Sequence, residues 1–319
     1  MKINNIIVSK IKDKEDFFEF MNELNIQGDT FVIKPNWVDG TEGSFTEARV
    51  LEFIFDYLKN KKIFIIESYT LWRNQPLTEE GKGGVPEKQG NLTDAKLWWA
   101  WIKEQDNWFL EIKKIKPLLD RYNVEYINIT EEVWSDRTVN PEIIKKLVEK
   151  KYEPVMFEEL YSYIPQKLFD LKGANLISFS KLKTGQPGNI TASTKNIFGL
   201  IPDPTRWPKY HGENNKIIAQ SIVDENKIYR SLFDTLFIVE GIFTAICGNW
   251  PDEFETIRNW GQIVGGKNSA EVDAVIATII GLDYKKISYL PLTIKTFGDF
   301  DKNILDKLPQ KFIKPIKLA

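Results

Sequence analysis

Lysine is the residue type around which candidate chemistry gathers in this sequence. Lys34, Lys181, Lys183 and Lys195 stand where hydrophobic runs stop or just beyond them. The run Val32-Ile33 ends at Lys34-Pro35-Asn36; proline holds the preceding lysine extended and stops a sheet ladder. The run Leu176-Ile177-Ser178-Phe179 leads into Lys181 and Lys183, which sit two positions apart and so share one face of an extended chain. A Gly/Pro-rich turn, Thr184 to Asn189, follows, then the candidate helix caps Thr191, Ser193 and Thr194, then Lys195-Asn196. A strand ending in lysines, a loop of small residues and a helix start together make an anion cradle. Lysines crowded in one crevice also depress one another's pKa, which can supply a general base or a Schiff-base amine. Glu67 ends the run Ile63 to Ile66 and is either an acid/base or the ion-pair partner that orients a lysine. The catalytic candidates are therefore Lys34, Glu67 and Lys183. Substrate contacts are expected from Asn36, Lys181, Thr184, Lys195, Asn196 and His211. The plainer alternative leaves these lysines on separate solvated edges.

The elements that must position these residues follow from hydrophobic period. Short apolar runs at 3–8, 31–33, 63–66, 124–129, 176–179, 236–239 and 263–264 read as strands. Helical spacing covers 14–24, 46–60, 141–149, 215–232, 270–282 and 288–297. Their alternation predicts an α/β fold, a mainly parallel, helix-flanked, Rossmann-like sheet in one domain spanning 1–319. Residues 152–170 read as an edge or hairpin region and 300–319 as irregular structure. Between 69 and 122 the pattern breaks. A Gly-rich loop, the cluster Trp98-Trp99-Ala100-Trp101 and helices around 94–104 and 108–122 predict a Trp-rich helical insertion, a lid or subdomain. Those rings either pack against the sheet or wall a pocket; a stacking platform for single-stranded nucleic acid is the lesser alternative, since no basic groove accompanies them. Candidate strand ends carry Lys34, Glu67, Lys181, Lys183 and Glu240, and ligands of open α/β sheets bind outside such ends. Asp273 reads as a cap or a support for the site, and His211 as a buried hydrogen-bonded residue or a proton-transfer contact.

Counts exclude several chemistries. Cys247 and His211 are the only cysteine and histidine. That rules out an intramolecular disulfide, a cluster or zinc site built from the chain's own Cys and His, and the two-His-one-carboxylate iron site. A bound metal would need oxygen ligands, as magnesium, calcium or manganese accept. The formal net charge of −2 points to neither nucleic acid nor a membrane surface as partner. No signal peptide and no long apolar stretch is read, so a cytoplasmic location is expected. The sequence holds no GxSxG, no Walker A loop and no GxGxxG after a strand.

Several segments together resemble a known family. They are Val32-Ile33-Lys34-Pro35-Asn36, Ile65-Ile66-Glu67-Ser68, Lys181-Leu182-Lys183-Thr184, and Thr194-Lys195-Asn196-Ile197-Phe198-Gly199-Leu200-Ile201-Pro202 followed by Tyr210-His211. Later come Ile238-Val239-Glu240-Gly241, Gly248 with Pro251, and Gly266 to Ala274. In this order they resemble the domain of unknown function numbered 362. The resemblance implies proteins often carrying a ferredoxin-like module or described as iron–sulfur proteins. This chain lacks those cysteines, so a cluster would have to sit on an electron-transfer partner. Relatives usually have Asp where Glu240 stands and an acid where Cys247 stands. The expected function is an enzyme acting on a small anionic substrate, a carboxylate or phosphate. The alternatives are a redox protein with a separate iron–sulfur partner and a non-catalytic small-anion binder.

Overall fold

The computed structural model describes residues 1–3, 5–71, 73, 95–185, 190–204, 206–246 and 255–316. Its strands, in chain order, are β1 (Lys2–Ile3), β2 (Ile6–Lys10), β3 (Thr30–Lys34), β4 (Lys62–Glu67), β5 (Glu125–Asn128), β6 (Asn175–Thr184), β7 (Ile190–Thr191), β8 (Asp234–Ile246), β9 (Glu255–Ile257) and β10 (Gln262–Gly266). They form one sheet in the order β1-β2-β10-β8-β6-β3-β4-β5, with β7 added to β6 and β9 to β8. The run β5-β4-β3-β6-β8 is parallel, and β10, β2 and β1 continue it antiparallel.

The connectivity reverses once within the parallel run. From β3 the chain steps to β4 and then β5 on one side; it returns to β6 and then β8 on the other. The crevice at the carboxyl ends of β3 and β6 is thus the topological switch point, where ligands of open α/β sheets bind.

Alternation along each strand sends side chains into two layers. Val32, Phe64, Leu176, Leu182, Phe237 and Val239 belong to the larger layer, covered by the helices Ile218–Leu232 and Ser269–Ile279. Phe31, Ile33, Ile65, Ile177, Phe179 and Ile238 belong to the other, under the helices Lys14–Leu24 and Ala48–Tyr57. Each fully buried Leu, Ile or Phe side chain contributes about 1.5–3 kcal/mol.

Two helices match their expected spans, Lys14–Leu24 behind the Asp13 cap and Pro141–Glu149 behind the Asn140 cap. Residues 152–170 differ from expectation. They form a 3₁₀ turn (Glu158–Ser162) and a short helix (Gln166–Phe169) in place of a hairpin. Pro165 stands immediately before that helix, and only an isolated bridge, Thr138 to Pro165, pairs the segment. In the Trp-rich segment the helices are Trp99–Ile112 and Ile115–Tyr122, separated at Lys114, which has φ 59°. Phe109, Leu110, Ile115, Leu118 and Leu119 of this pair pack into the layer under Ala48–Tyr57. Trp98, Trp99, Trp101 and Trp134 surround Tyr69, Leu71 and Ile102. The Gly-rich part of the expected lid, residues 74–94, lies outside the described residues, as does Trp72. Among the described residues no helix is long and apolar enough to cross a membrane.

Candidate functional site

Lys34 closes β3 and Glu67 closes β4, and the parallel pairing brings them side by side at the switch point. Lys34 Nζ donates to Glu67 Oε2 at 2.8 Å and to the Pro35 carbonyl at 2.7 Å. Glu67 also accepts from the Trp37 and Ser68 backbone N–H groups, so both of its carboxylate oxygens are engaged. Both side chains are buried, at 1% and 4% exposure. Burial pulls the Lys34 amine down to about 8, with Glu67 opposing and the charges of Arg206 and Arg73 assisting. Gly199 packs directly over the pair: a Cβ there would lie 3.1 Å from Lys34 Nζ and 3.6 Å from Glu67 Oε1.

Two asparagines fix the crevice. Asn196 Nδ2 donates to the Lys34 carbonyl and to Ser178 Oγ, tying β3 to β6, and its Oδ1 accepts from Asn36 Nδ2 at 3.0 Å. Asn36 in turn is bonded through its N–H to Thr46 Oγ1. Both amides are thereby engaged in holding the frame, while Asn36 Oδ1 is buried without a hydrogen-bond partner.

The expected anion cradle is already filled from within. Asp273 accepts from the Ser193 N–H at 2.8 Å, from Ser193 Oγ at 2.6 Å and from the Thr194 N–H at 3.2 Å. The free amides that begin the five-residue helix Ser193–Ile197 are thus capped by a carboxylate of the chain itself. The turn residues 186–189 lie outside the described residues.

The lysines divide between the two faces of the sheet. Lys34 pairs in register with Ser178 and shares the face of Val32 and Leu176. Lys181 and Lys183 lie an odd number of residues further along β6, on the face of Ile177 and Phe179. The five-residue step from Ser178 to Lys183 also carries the backbone about 16 Å along the strand. Lys181 forms a buried triad there. Its Nζ donates to Glu47 Oε2 at 2.7 Å and to the Phe243 carbonyl at 2.9 Å, and is ion-paired to Glu240. Burial pulls the Lys181 ammonium down, but Glu240 and Glu47 outweigh it and leave it above its ordinary value. Burial pushes the Glu240 carboxyl up to about 7 against the pull of Lys181. A bulge follows, β8 spending five residues from Glu240 to Ala245 against two in β6. Lys183 is buried and, among the described residues, has no ion-pair partner; Thr184 is buried beside it.

His211 ends the π-helical turn Trp207–His211 on the face of the larger layer. Its Nδ1 bonds to Asn215 Oδ1 at 3.0 Å and its ring lies 5.4 Å from that of Phe198, the neighbour of Gly199. Burial, opposed by the Asn215 hydrogen bond and assisted by the charges of Lys195 and Arg206, lowers it to about 4. His211 is therefore a neutral imidazole at physiological pH. Among the described residues no group of three or more His, Cys, Asp or Glu is gathered to hold a metal ion.

A family model described as "Domain of unknown function (DUF362)" matches residues 31–278, well over half of the chain and every candidate site residue from Lys34 to Asp273. The chain belongs to the DUF362 family. No curated protein and no solved structure matches it. Glu240, where the resemblance implied Asp, is the partner of Lys181, and Cys247 lies outside the described residues.

The structure of this DUF362 member adds residues that sequence reasoning missed. Arg73 is buried, ion-paired to Asp106, and donates to the Trp37 and Ser68 carbonyls that flank the Lys34–Glu67 pair. Arg206 donates to the Tyr69 carbonyl at 2.8 Å. Glu225 is buried in the helix Ile218–Leu232 with Oε2 unpartnered, and burial pushes it up to about 8. The signal for Glu225 was readable: it falls on the stripe Ile218, Ile222, Glu225, Tyr229, Leu232, a carboxylate at an apolar position. Arg73 and Arg206 lie in irregular segments, where no period marks which face is buried.

Proposed function

We propose that this protein is an enzyme acting on a small anionic molecule at the carboxyl rim of β3 and β4, with Lys34 as the proton-transferring amine. The observation that carries this reading is the buried Lys34, held near pKa 8 against Glu67 at the switch point. A solvated lysine is an ammonium at neutral pH and a poor base. Lys34 loses its proton close to the working range, so it can accept a proton from a carbon acid or attack a carbonyl. Glu67, with three hydrogen bonds to its carboxylate, is the fixed counter-charge that orients the amine. Lys195 and Arg206, whose charges reach His211, and Arg206, whose charge reaches Lys34, supply the positive field an anion requires. His211 is a neutral hydrogen-bonding group beside them. Glu47, Lys181 and Glu240 brace the opposite face and take no part in the chemistry.

The test is a thermal-shift panel of small carboxylates (oxalate, pyruvate, malonate) and inorganic phosphate on the wild type and on Lys34→Met, followed by crystals soaked with any compound that stabilises. The reading expects stabilisation of the wild type, its loss in Lys34→Met, and the anion within hydrogen-bond reach of Lys34 or Arg206. An anion found only on the Lys183 face would contradict it. Binding at Lys34 without turnover of any carbonyl compound would leave a binder in place of an enzyme.

A further inference from the structure

A cleft of about 520 Å³ opens at the opposite, amino-terminal end of β6 and β8. That volume lies in the range of small-molecule sites. Its lining includes Lys151, Tyr152, Arg230, Asp234, Thr235 and Lys267. Three cations therefore face one carboxylate, and that carboxylate is spent: Asp234 pairs with Lys267 at 2.8 Å. Among the described residues neither Arg230 nor Lys151 has a carboxylate partner.

Arg230 is held as a fixed recognition group. Its guanidinium lies 4.0 Å from the ring centroid of Phe297 and 4.6 Å from that of Phe237, and Nη2 donates to Ser269 Oγ at 2.6 Å. Aromatic faces on a guanidinium leave its edge as the free donor surface. The end of the helix Ile218–Leu232 would repel an anion through its bare carbonyls, but those nearest are covered. The Arg230 carbonyl accepts from Lys151 Nζ, Tyr229 from the Phe233 N–H and Leu232 from the Gly173 N–H. The Thr235 hydroxyl is buried in the cleft wall without a hydrogen-bond partner.

We infer that this cleft is a second ligand site, built to take the phosphoryl group of a small phosphomonoester or inorganic phosphate on Arg230 and Lys151. Two cations without an ion-pair partner among the described residues, Asp273 acting on Arg230 only at a distance, match a dianion better than a monocarboxylate, and a planar guanidinium edge suits the paired oxygens of a phosphoryl group. The site is separate from the Lys34 rim and does not depend on it.

Calorimetric titration of the full chain with inorganic phosphate and with glycerol 3-phosphate tests this. Binding of at least one is expected, weakened about tenfold or more by Arg230→Gln, the loss of a charge-assisted hydrogen bond. Lys151 is exposed, so Lys151→Glu keeps the test decisive if Arg230→Gln fails to fold; it is expected to weaken binding by a similar factor. Lys34→Met should leave the affinity unchanged. No binding of either compound, or an affinity that survives Lys151→Glu, overturns the inference. An affinity lost in Lys34→Met that circular dichroism shows still folded overturns it as well, because the anion would then sit at the rim.

Discussion

Lys34 and Glu67 form a 2.8 Å ion pair at the ends of two neighbouring parallel strands, with almost none of either side chain exposed. Removing one partner of such a pair leaves a buried charge without compensation, which costs about 3–5 kcal/mol. Glu67→Gln is therefore expected to destabilise strongly, and Lys34→Met/Glu67→Gln to recover much of that loss. Urea unfolding of both variants checks this.

The same pair sets a pH dependence. The Lys34 pKa is lowered on folding from 10.5 to about 8. Between those values the unfolded chain binds more protons than the folded one, so stability rises with pH through that window. Relative to Lys34→Met/Glu67→Gln, the wild type should gain on the order of 3 kcal/mol from pH 8 to pH 10.5. Denaturant curves of the two proteins across this range measure the difference.

On the other face, Lys181→Met would leave Glu47 and Glu240 confronting each other without their shared cation. The expected cost is about 3–5 kcal/mol at pH 8. Glu240 has a folded pKa raised to about 7, so its protonated form is the one the fold favours. Its contribution is complete below the ordinary carboxylate value of 4.5 and is lost as pH rises towards 7. The penalty of Lys181→Met should accordingly shrink at pH 5, and unfolding at the two pH values compares them.

His211 is the only histidine, so its imidazole proton resonances are assigned by inspection. Burial lowers its folded pKa from 6.5 to about 4. The unfolded chain then takes up the proton first, and stability falls as pH drops from 6.5 to 4. Proton NMR should show the His211 shift constant down to about pH 5; a midpoint near 6.5 would refute the burial argument.

Much of the frame was legible because it rests on local periodicity. The strand ends at Lys34 and Glu67 were marked by an apolar run meeting a charge, with proline following the lysine. Asp273 was readable as a cap or a support; Asn268 caps its own helix, and Asp273 caps the helix that begins at Ser193. The division of the lysines was not legible. It depends on which residue of β6 stands beside Lys34, and that register, Lys34 to Ser178, is set by long-range pairing. One residue of shift would have put Lys34 in line with Lys181 and Lys183. The hairpin expected at 152–170 failed for a related reason: short apolar segments around Pro154 and Pro165 do not reveal whether a sheet partner exists.

Whether Lys34 is an amine near neutrality is decided by its own titration. Lysine labelled with ¹³C at Cε gives one resonance per residue, and Lys34→Met identifies the Lys34 signal by its disappearance. A Lys34 midpoint near pH 8 is expected, moving upward when an anion binds beside it. A Lys34 signal that titrates with the surface lysines near their ordinary value, about 10.4, would contradict it.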